Sequence, residues 1–170
     1  MNLPAIDGER LRLRPLDARD VDRLAEIVGA PGVSEWWSPL DTPEAVREDL
    51  RNEGAAFGIE VDGDLVGWLA FNDETDRDWQ AVGIDIFLAP SHQGRGLGPE
   101  ALRTAIGWLA AERGRQRFTI DPAVANERAI AAYTTVGFRP VGVMRKVERG
   151  ADGSWHDNLL MDLLVDSDQR

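Results

Sequence analysis

Cysteine is absent from this chain of 170 residues, and so is any long uninterrupted apolar segment. Disulfides, thiolate metal sites and a cysteine nucleophile are therefore excluded. A membrane-spanning helix needs about 20 apolar residues in a row, so none is predicted. The first thirteen residues carry four charges and lack the apolar core of a signal peptide. The two histidines, His92 and His156, stand alone without metal-ligand spacing. We expect a cytoplasmic protein with neither a metal nor a membrane partner.

The charge is strongly acidic and unevenly distributed. Lys and Arg number 19 against 30 Asp and Glu, a net charge of −11. Binding to nucleic acid or to an anionic membrane is therefore not expected. The segment 95–117 is the exception, with five arginines against two glutamates, whereas 72–85 holds five acids against one arginine. This contrast indicates an anionic ligand near the first segment and a cationic one opposite, unless both are ordinary solvated surface.

Hydrophobic spacing predicts one strand, two helices and then three strands in the first half of the chain. A strand at 10–14 precedes a helix capped by Asp17, and a second, short helix begins at Pro43. Two strands around Asp62–Gly63–Asp64 form a hairpin. In the next strand, 81–89, alternate residues face opposite sides of the sheet. One side carries Val82, Ile84, Ile86 and Leu88, and the other carries Gly83, Asp85 and Phe87.

The second half begins with a glycine turn at 93–98. It continues with a helix from Pro99 to about Gly114, a strand at 117–121, a helix at 126–136 and a closing strand pair. The predicted order is β-α-α-β-β-β-α-β-α-β-β. This order indicates one α/β domain over residues 1–170, with a mixed, mostly antiparallel sheet flanked by about four helices.

The glycine turn reads Gln93-Gly94-Arg95-Gly96-Leu97-Gly98. Glycines let the backbone approach a ligand closely, and the following helix adds free N–H groups and the positive end of its dipole. Such a turn binds phosphate, unless it is only a tight structural turn. Gly96-x-Gly98-x-x-Ala101 formally matches a dinucleotide fingerprint, with Asp121 ending the next strand. The preceding hairpins and the lack of a further βαβ half disfavour that interpretation, and no Gly-Lys-Ser/Thr is present for a Walker loop.

The combination of two motifs resembles the GNAT superfamily of acyl-CoA N-acyltransferases. The first is Gln93-x-x-Gly96-x-Gly98 between a strand and a helix. The second is the helix from Asn126 through Tyr133 to Gly137-Phe138. The element order matches that family across nearly the whole chain. The resemblance implies a single-domain GNAT fold and acetyl-CoA as co-substrate, with a primary amine as acceptor and direct transfer between them.

The resemblance also implies where coenzyme A binds. The amides of Gln93, Gly94, Arg95, Gly96, Leu97 and Gly98 would hold its pyrophosphate, while backbone N–H groups at Phe87 and Leu88 would polarise the thioester carbonyl. Asn126 would contact the pantetheine arm, although it could equally be a helix N-cap.

Three further residues are candidates for the chemistry. Tyr133, two helical turns after Asn126, would protonate the departing thiolate, unless it is only a core aromatic. Asp85 and Asp121 flank the expected cleft, where either could bind an ammonium or take its proton through water, unless both only hydrogen-bond at strand ends.

Within the superfamily the chain most resembles aminoglycoside 6′-N-acetyltransferases. Glu35-Trp36-Trp37 is similar to their substrate-side aromatic segment, so Trp36, Trp37, Asp85 and Asp121 are the predicted acceptor residues. This resemblance implies a cationic acceptor and antibiotic resistance. The stretch 152–162 instead resembles ribosomal-protein N-terminal acetyltransferases, whose acceptor is a peptide amine. A non-catalytic acyl-CoA-binding module is a further alternative, and the oligomeric state could be monomer or homodimer.

Overall fold

The computed structural model of the protein describes residues 3–37, 55–73, 80–150 and 152–165. Within these ranges eight strands form one sheet in the order β1-β2-β3-β4-β5-β6-β8-β7. Their bounds are β1 Ile6–Asp7, β2 Arg12–Pro15, β3 Ala55–Val61, β4 Asp64–Asp73, β5 Val82–Leu88, β6 Arg117–Ile120, β7 Arg139–Arg149 and β8 Trp155–Leu164. Of the seven strand pairs among the described residues, only β5–β6 is parallel. The predicted mixed, mostly antiparallel sheet is confirmed.

Three α-helices lie in the described ranges: α1 Asp20–Val28, α2 Leu97–Arg113 and α3 Glu127–Val136. The short helix predicted from Pro43 falls outside the described residues, as does the part of the acidic loop at 74–79. Among the described helices, none is long and apolar enough to cross a membrane.

The start of α1 differs from the prediction. The helix begins at Asp20 and has no side-chain cap, so Asp17 as its cap is wrong. Arg14 on β2 instead binds the carboxylate of Asp20 with contacts of 2.7 and 3.0 Å. Asp17 pairs with Arg19. A partly buried ion pair between sheet and helix therefore fixes where α1 starts, which helical spacing could not reveal.

Apolar side chains cover both faces of the sheet. One cluster contains Val82, Ile84 and the inward residues of α2, and the other contains Phe87, Trp68 and the inward residues of α1. The alternation predicted for β5 is confirmed, because its neighbouring residues enter different clusters.

The centre of the sheet splits open along β5. This strand pairs with β4 at seven positions from Val82 to Leu88. It pairs with β6 only at Val82–Phe118 and Gly83–Thr119. Beyond Gly83 the edge of β5 that faces β6 pairs with no strand of the described residues. The candidate site lies in the resulting cleft.

Candidate functional site

The glycine turn lies at the end of β5 and leads directly into α2. Gly94 and Gly96 have φ of 70° and 78°, in the left-handed region that side chains disfavour. Within the described residues no hydrogen bond occupies the amides of Gly94, Arg95 and Gly96. Leu97 and Gly98 add the free N–H groups of the first helical turn. These donors, together with the helix dipole, form a site for an anion such as a phosphate.

Arg10 supports this turn from outside the motif. Its Nε donates to Glu100 Oε2 at 2.8 Å, its Nη1 donates to the carbonyl of Arg95 at 2.9 Å, and its amide donates to Glu100 Oε1 at 2.7 Å. Glu100 lies in the first turn of α2, so Arg10 connects the start of that helix to the loop. No sequence pattern indicates this contact, because the partners of Arg10 lie 85 and 90 positions away.

Gln93 is engaged with the protein itself. Its amide donates to the carbonyl of Pro90, and its side-chain Nε2 donates to the carbonyl of Leu88 at 2.9 Å. Arg128 on α3 donates to its side-chain oxygen. Gln93 therefore joins β5 to α3 and sets the shape of the turn, and its own amide is already occupied by the carbonyl of Pro90.

An apolar channel of about 440 Å³ runs from the turn along the open edge of β5. Its walls are formed by Phe87, by several residues of α3 and by part of the loop at 32–37. Asn126 begins α3 as a true N-cap, accepting a hydrogen bond from the amide of Ala129 at 3.2 Å. Its side chain also lines the channel, so the capping and ligand roles are compatible.

The pleat of β5 decides which amides face this channel. The carbonyl of Phe87 points at β4, where it would lie 2.4 Å from a Cβ on Gly67, and the amide of Ala89 donates to Val66 on the β4 side. Because N–H and C=O of one residue point the same way in a strand, the amides of Ile86 and Leu88 face the cleft. The prediction named Phe87 and Leu88. The geometry directs the amides of Ile86 and Leu88 there, whereas the backbone of Phe87 faces β4.

A second cavity of about 340 Å³ adjoins the channel and is acidic. Asp85, Asp121 and Glu148 lie in its wall with Asn158. The two spaces share five lining residues, namely Trp36, Trp37, Ile86, Asn126 and Tyr133. A ligand in the channel and a ligand in the cavity would therefore meet beside Tyr133.

Asp85 has an unusual electrostatic environment. Its side chain is exposed to solvent in the cavity, yet enough protein atoms lie near the carboxylate to remove part of its hydration. Burial, reinforced by the negative charges of Asp121 and Glu148, raises the pKa of Asp85 from 3.8 to about 6. Asp85 is thus ionised at neutral pH yet more basic than an ordinary aspartate, as a general base requires.

Tyr133 lies opposite on α3, packed against Phe138 with ring centroids 6.3 Å apart. Its hydroxyl makes no hydrogen bond to any described residue. Burial, with smaller contributions from Asp85 and Asp121, raises the pKa of Tyr133 above its ordinary value of 10. The phenol stays protonated over the whole physiological range and can donate a hydrogen bond at the junction of the two spaces.

Trp36 and Trp37 differ in how deeply they are buried. Trp37 is half-buried and packs edge-on against Trp68 at 5.6 Å and Phe87 at 5.2 Å. Trp36 keeps 36% of its surface exposed. Both line the junction of the channel and the cavity. Among the described residues, no group of three His, Cys, Asp or Glu side chains is arranged to hold a metal ion.

Sequence reasoning missed Glu148 and Asn158. Glu148 lies on β7 and Asn158 on β8, and Asn158 donates to Glu148 Oε2 at 2.8 Å and to Asp121 Oδ2 at 3.2 Å. The irregular register between Met144 and Glu148 helps place Glu148 over the cavity. No local pattern in the sequence signals it.

Residues 10–139 match a family model described as the acetyltransferase (GNAT) domain. N-alpha-acetyltransferase RimI of Mycobacterium tuberculosis is 29% identical, over 86% of this chain and 90% of its own. Streptothricin acetyltransferase of Streptomyces lavendulae is 30% identical, over 92% of this chain and 77% of its own. The solved structure of Mycobacterium smegmatis RimJ in complex with CoA-disulfide superposes with a TM-score of 0.84 at 22% identity, over 98% of this chain and 90% of that one. At 22% identity, the similarity to this structure shows a shared fold.

Proposed function

Because this chain belongs to the GNAT family and is an acetyl-CoA-dependent N-acetyltransferase, we propose that its acceptor is a small cationic amine of the aminoglycoside kind. One observation carries the proposal. Three carboxylates, those of Asp85, Asp121 and Glu148, line the cavity beside Tyr133. Within the described residues no Lys, Arg or His forms a salt bridge with any of them. A cationic ligand would supply the missing counter-charge.

The residues of the channel fit coenzyme A. The free amides of the glycine turn suit a pyrophosphate, and the apolar channel has room for a narrow arm that ends at the junction. Acetyl-CoA supplies an acyl group on a thioester whose leaving group is a thiolate. Asn126 would contact the arm, and the amides of Ile86 and Leu88 would donate to the thioester carbonyl oxygen. Such a donor is worth about 2.7–4 kcal/mol in acyl transfer.

Asp85 and Tyr133 divide the proton transfers. Asp85 would bind the acceptor as an ammonium and take one proton from it, directly or through water, which frees the nitrogen lone pair for attack. As the C–N bond forms and the C–S bond breaks, the Tyr133 hydroxyl would give its proton to the departing sulfur and regain one, through water, from the nitrogen. The products are then a neutral amide and a free thiol, and Asp85 releases its own proton to solvent. Trp36 and Trp37 would cover the reacting groups and pack against the acceptor.

A peptide α-amine is the second candidate acceptor, because one relative is named an N-alpha-acetyltransferase. A peptide offers one cationic amine and an otherwise neutral backbone. The acidic lining of the cavity gives less advantage to such a ligand than to a polycation, so we favour the small amine.

Salt dependence separates the two acceptors. We expect kanamycin to be acetylated with a KM that rises several-fold between about 20 mM and 500 mM salt, because the Debye length shortens and attraction to the cavity weakens. Thiol release from acetyl-CoA measures the rate for kanamycin and for short peptides with neutral first residues. Faster turnover of the peptides, insensitive to salt, would defeat the small-amine proposal and leave the acetyltransferase itself intact.

The glycine turn can be tested without disturbing the fold. A Cβ on Gly98 would meet only Leu88 Cδ1 at 3.6 Å, an ordinary contact. Gly96 is unsuitable, because its φ of 78° and its closeness to Arg10 would strain any side chain. We expect Gly98→Val to weaken CoA binding by at least about tenfold, since the added methyls occupy the space of the phosphates.

Gly107→Val is the matched control, because Gly107 lies in the same helix with open space at its Cβ position. Calorimetric titration with CoA should give an unchanged Kd for Gly107→Val. A folded Gly98→Val protein with normal CoA affinity would disprove this placement of the pyrophosphate.

A further inference from the structure

We propose that Asp121, Glu148 and Asn158 form a subsite for a second positive charge on the acceptor, so that the preferred acceptors are small amines with two cationic groups. This inference rests on the proposed function, because it assigns the first amine to Asp85 and the second to the new subsite. It narrows the acceptor from any cationic amine to a dibasic one.

Asn158 holds the two carboxylates of the subsite in a fixed arrangement. Its side-chain Nδ2 donates to Glu148 Oε2 at 2.8 Å and to Asp121 Oδ2 at 3.2 Å. Both N–H groups of this amide are thereby used, and turning the amide over would set its oxygen against two carboxylates. The NH2 group of Asn158 thus bridges the two carboxylates through one oxygen of each. The second oxygen of each carboxylate makes no hydrogen bond to a described residue.

The polar atoms left unsatisfied here are all acceptors. Asn158 is 2% exposed, yet its Oδ1 has no hydrogen-bond partner among the described residues. Leaving a buried acceptor unpaired is energetically costly, so its persistence beside two carboxylates calls for an explanation. A cation with several N–H groups, such as an ammonium, matches these acceptors in charge and in hydrogen-bonding type.

The charges lie close enough to act together. Asp121 and Glu148 both raise the pKa of Asp85, which shows that the three carboxylates share one electrostatic environment. When the reacting amine binds at Asp85 and loses its proton, it no longer offsets the negative charge of the three carboxylates. A second ammonium at Glu148 and Asp121 would remain charged throughout the reaction and hold the acceptor in place, with the exposed ring of Trp36 beside it.

The test compares diamines with monoamines of equal length. Diaminopropane, putrescine and cadaverine are assayed against n-propylamine, n-butylamine and n-pentylamine at pH 8, where Asp85 is ionised. We expect kcat/KM for at least one diamine to exceed that of its monoamine by roughly 10- to 100-fold, the range of a charge-assisted hydrogen bond. Glu148→Gln keeps the shape and a hydrogen-bond acceptor for Asn158 but removes the charge. It should lower kcat/KM for that diamine by a similar factor and lower the monoamine rate far less.

Glu112→Gln, on the exposed face of α2 and outside both cavities, is the matched control and should change neither rate. Equal rates for every diamine and its monoamine, or an equal loss of both in Glu148→Gln, would overturn the subsite while leaving the proposed function standing. Failure of the wild-type protein to acetylate any of these amines, while it acetylates kanamycin, would overturn the subsite and leave the proposed function standing, whereas turnover of peptides alone would overturn both.

Discussion

Removal of the Tyr133 hydroxyl is expected to lower kcat for acetyl transfer by roughly 10²–10⁴-fold, the usual contribution of a positioned proton or hydrogen-bond donor. Tyr133→Phe keeps the ring contact with Phe138 and the packing of α3, so CoA binding and thermal stability should hardly change. Because its pKa is raised, Tyr133 remains a donor at every pH used in assays. The wild-type profile should therefore show no alkaline fall that belongs to this residue.

Thiol release at saturating acetyl-CoA and amine measures this kcat, and calorimetry with CoA is the control for binding. Near-normal turnover in a folded Tyr133→Phe protein would make Tyr133 a packing residue. It would equally mean that charge on the departing sulfur does not limit the rate.

The parts of the site that the sequence predicted well are the local ones. The glycine turn and the Asn126–Tyr133 spacing each lie within a dozen consecutive residues, so backbone conformation and helical periodicity place them directly. The alternation along β5 placed Asp85 and Phe87 on one face in the same way. The alternation of side chains does not show which backbone amides face the cleft, so the sequence did not reveal that those of Ile86 and Leu88 do.

The parts that escaped prediction depend on contacts between distant segments. Glu148 reaches the cavity through a strand pairing that shifts register after Met144, with Lys146 at φ 51°. A one-residue difference in register would turn its side chain to the other face of the sheet. Arg10 likewise meets Glu100 across 90 positions. Such pairings are set by the assembled sheet, and no short window of residues encodes them.

The second large effect is expected at Asp85, whose carboxylate must be ionised to accept the proton of the amine. We expect kcat/KM for a cationic amine to fall below about pH 6, following the raised pKa of this group. Asp85→Asn keeps the shape and should lower turnover by roughly 10²–10⁴-fold with little change in CoA binding. Glu148→Gln removes one charge that raises the pKa of Asp85, so it should move the acid limb to lower pH.

Asp85→Asn should lower activity but raise the stability of the fold at neutral pH. A carboxyl group whose pKa is higher in the folded state than in the unfolded state binds more protons when folded, so stability falls as pH rises from about 4 to 6. Asp85→Asn removes this cost. Its Tm should exceed that of the wild type at pH 7 and equal it near pH 3, which separates a loss of chemistry from a loss of folding.

The pH profile of kcat/KM with a cationic amine, measured for the wild-type protein and for Asp85→Asn, tests the central claim most directly, namely that the acceptor amine reacts between Asp85 and Tyr133. The account predicts an acid limb near pH 6 in the wild type. In Asp85→Asn it predicts that this limb is absent and that the low remaining rate rises only as the amine loses its own proton in solution. Profiles of the same shape and similar height for the two proteins would contradict it.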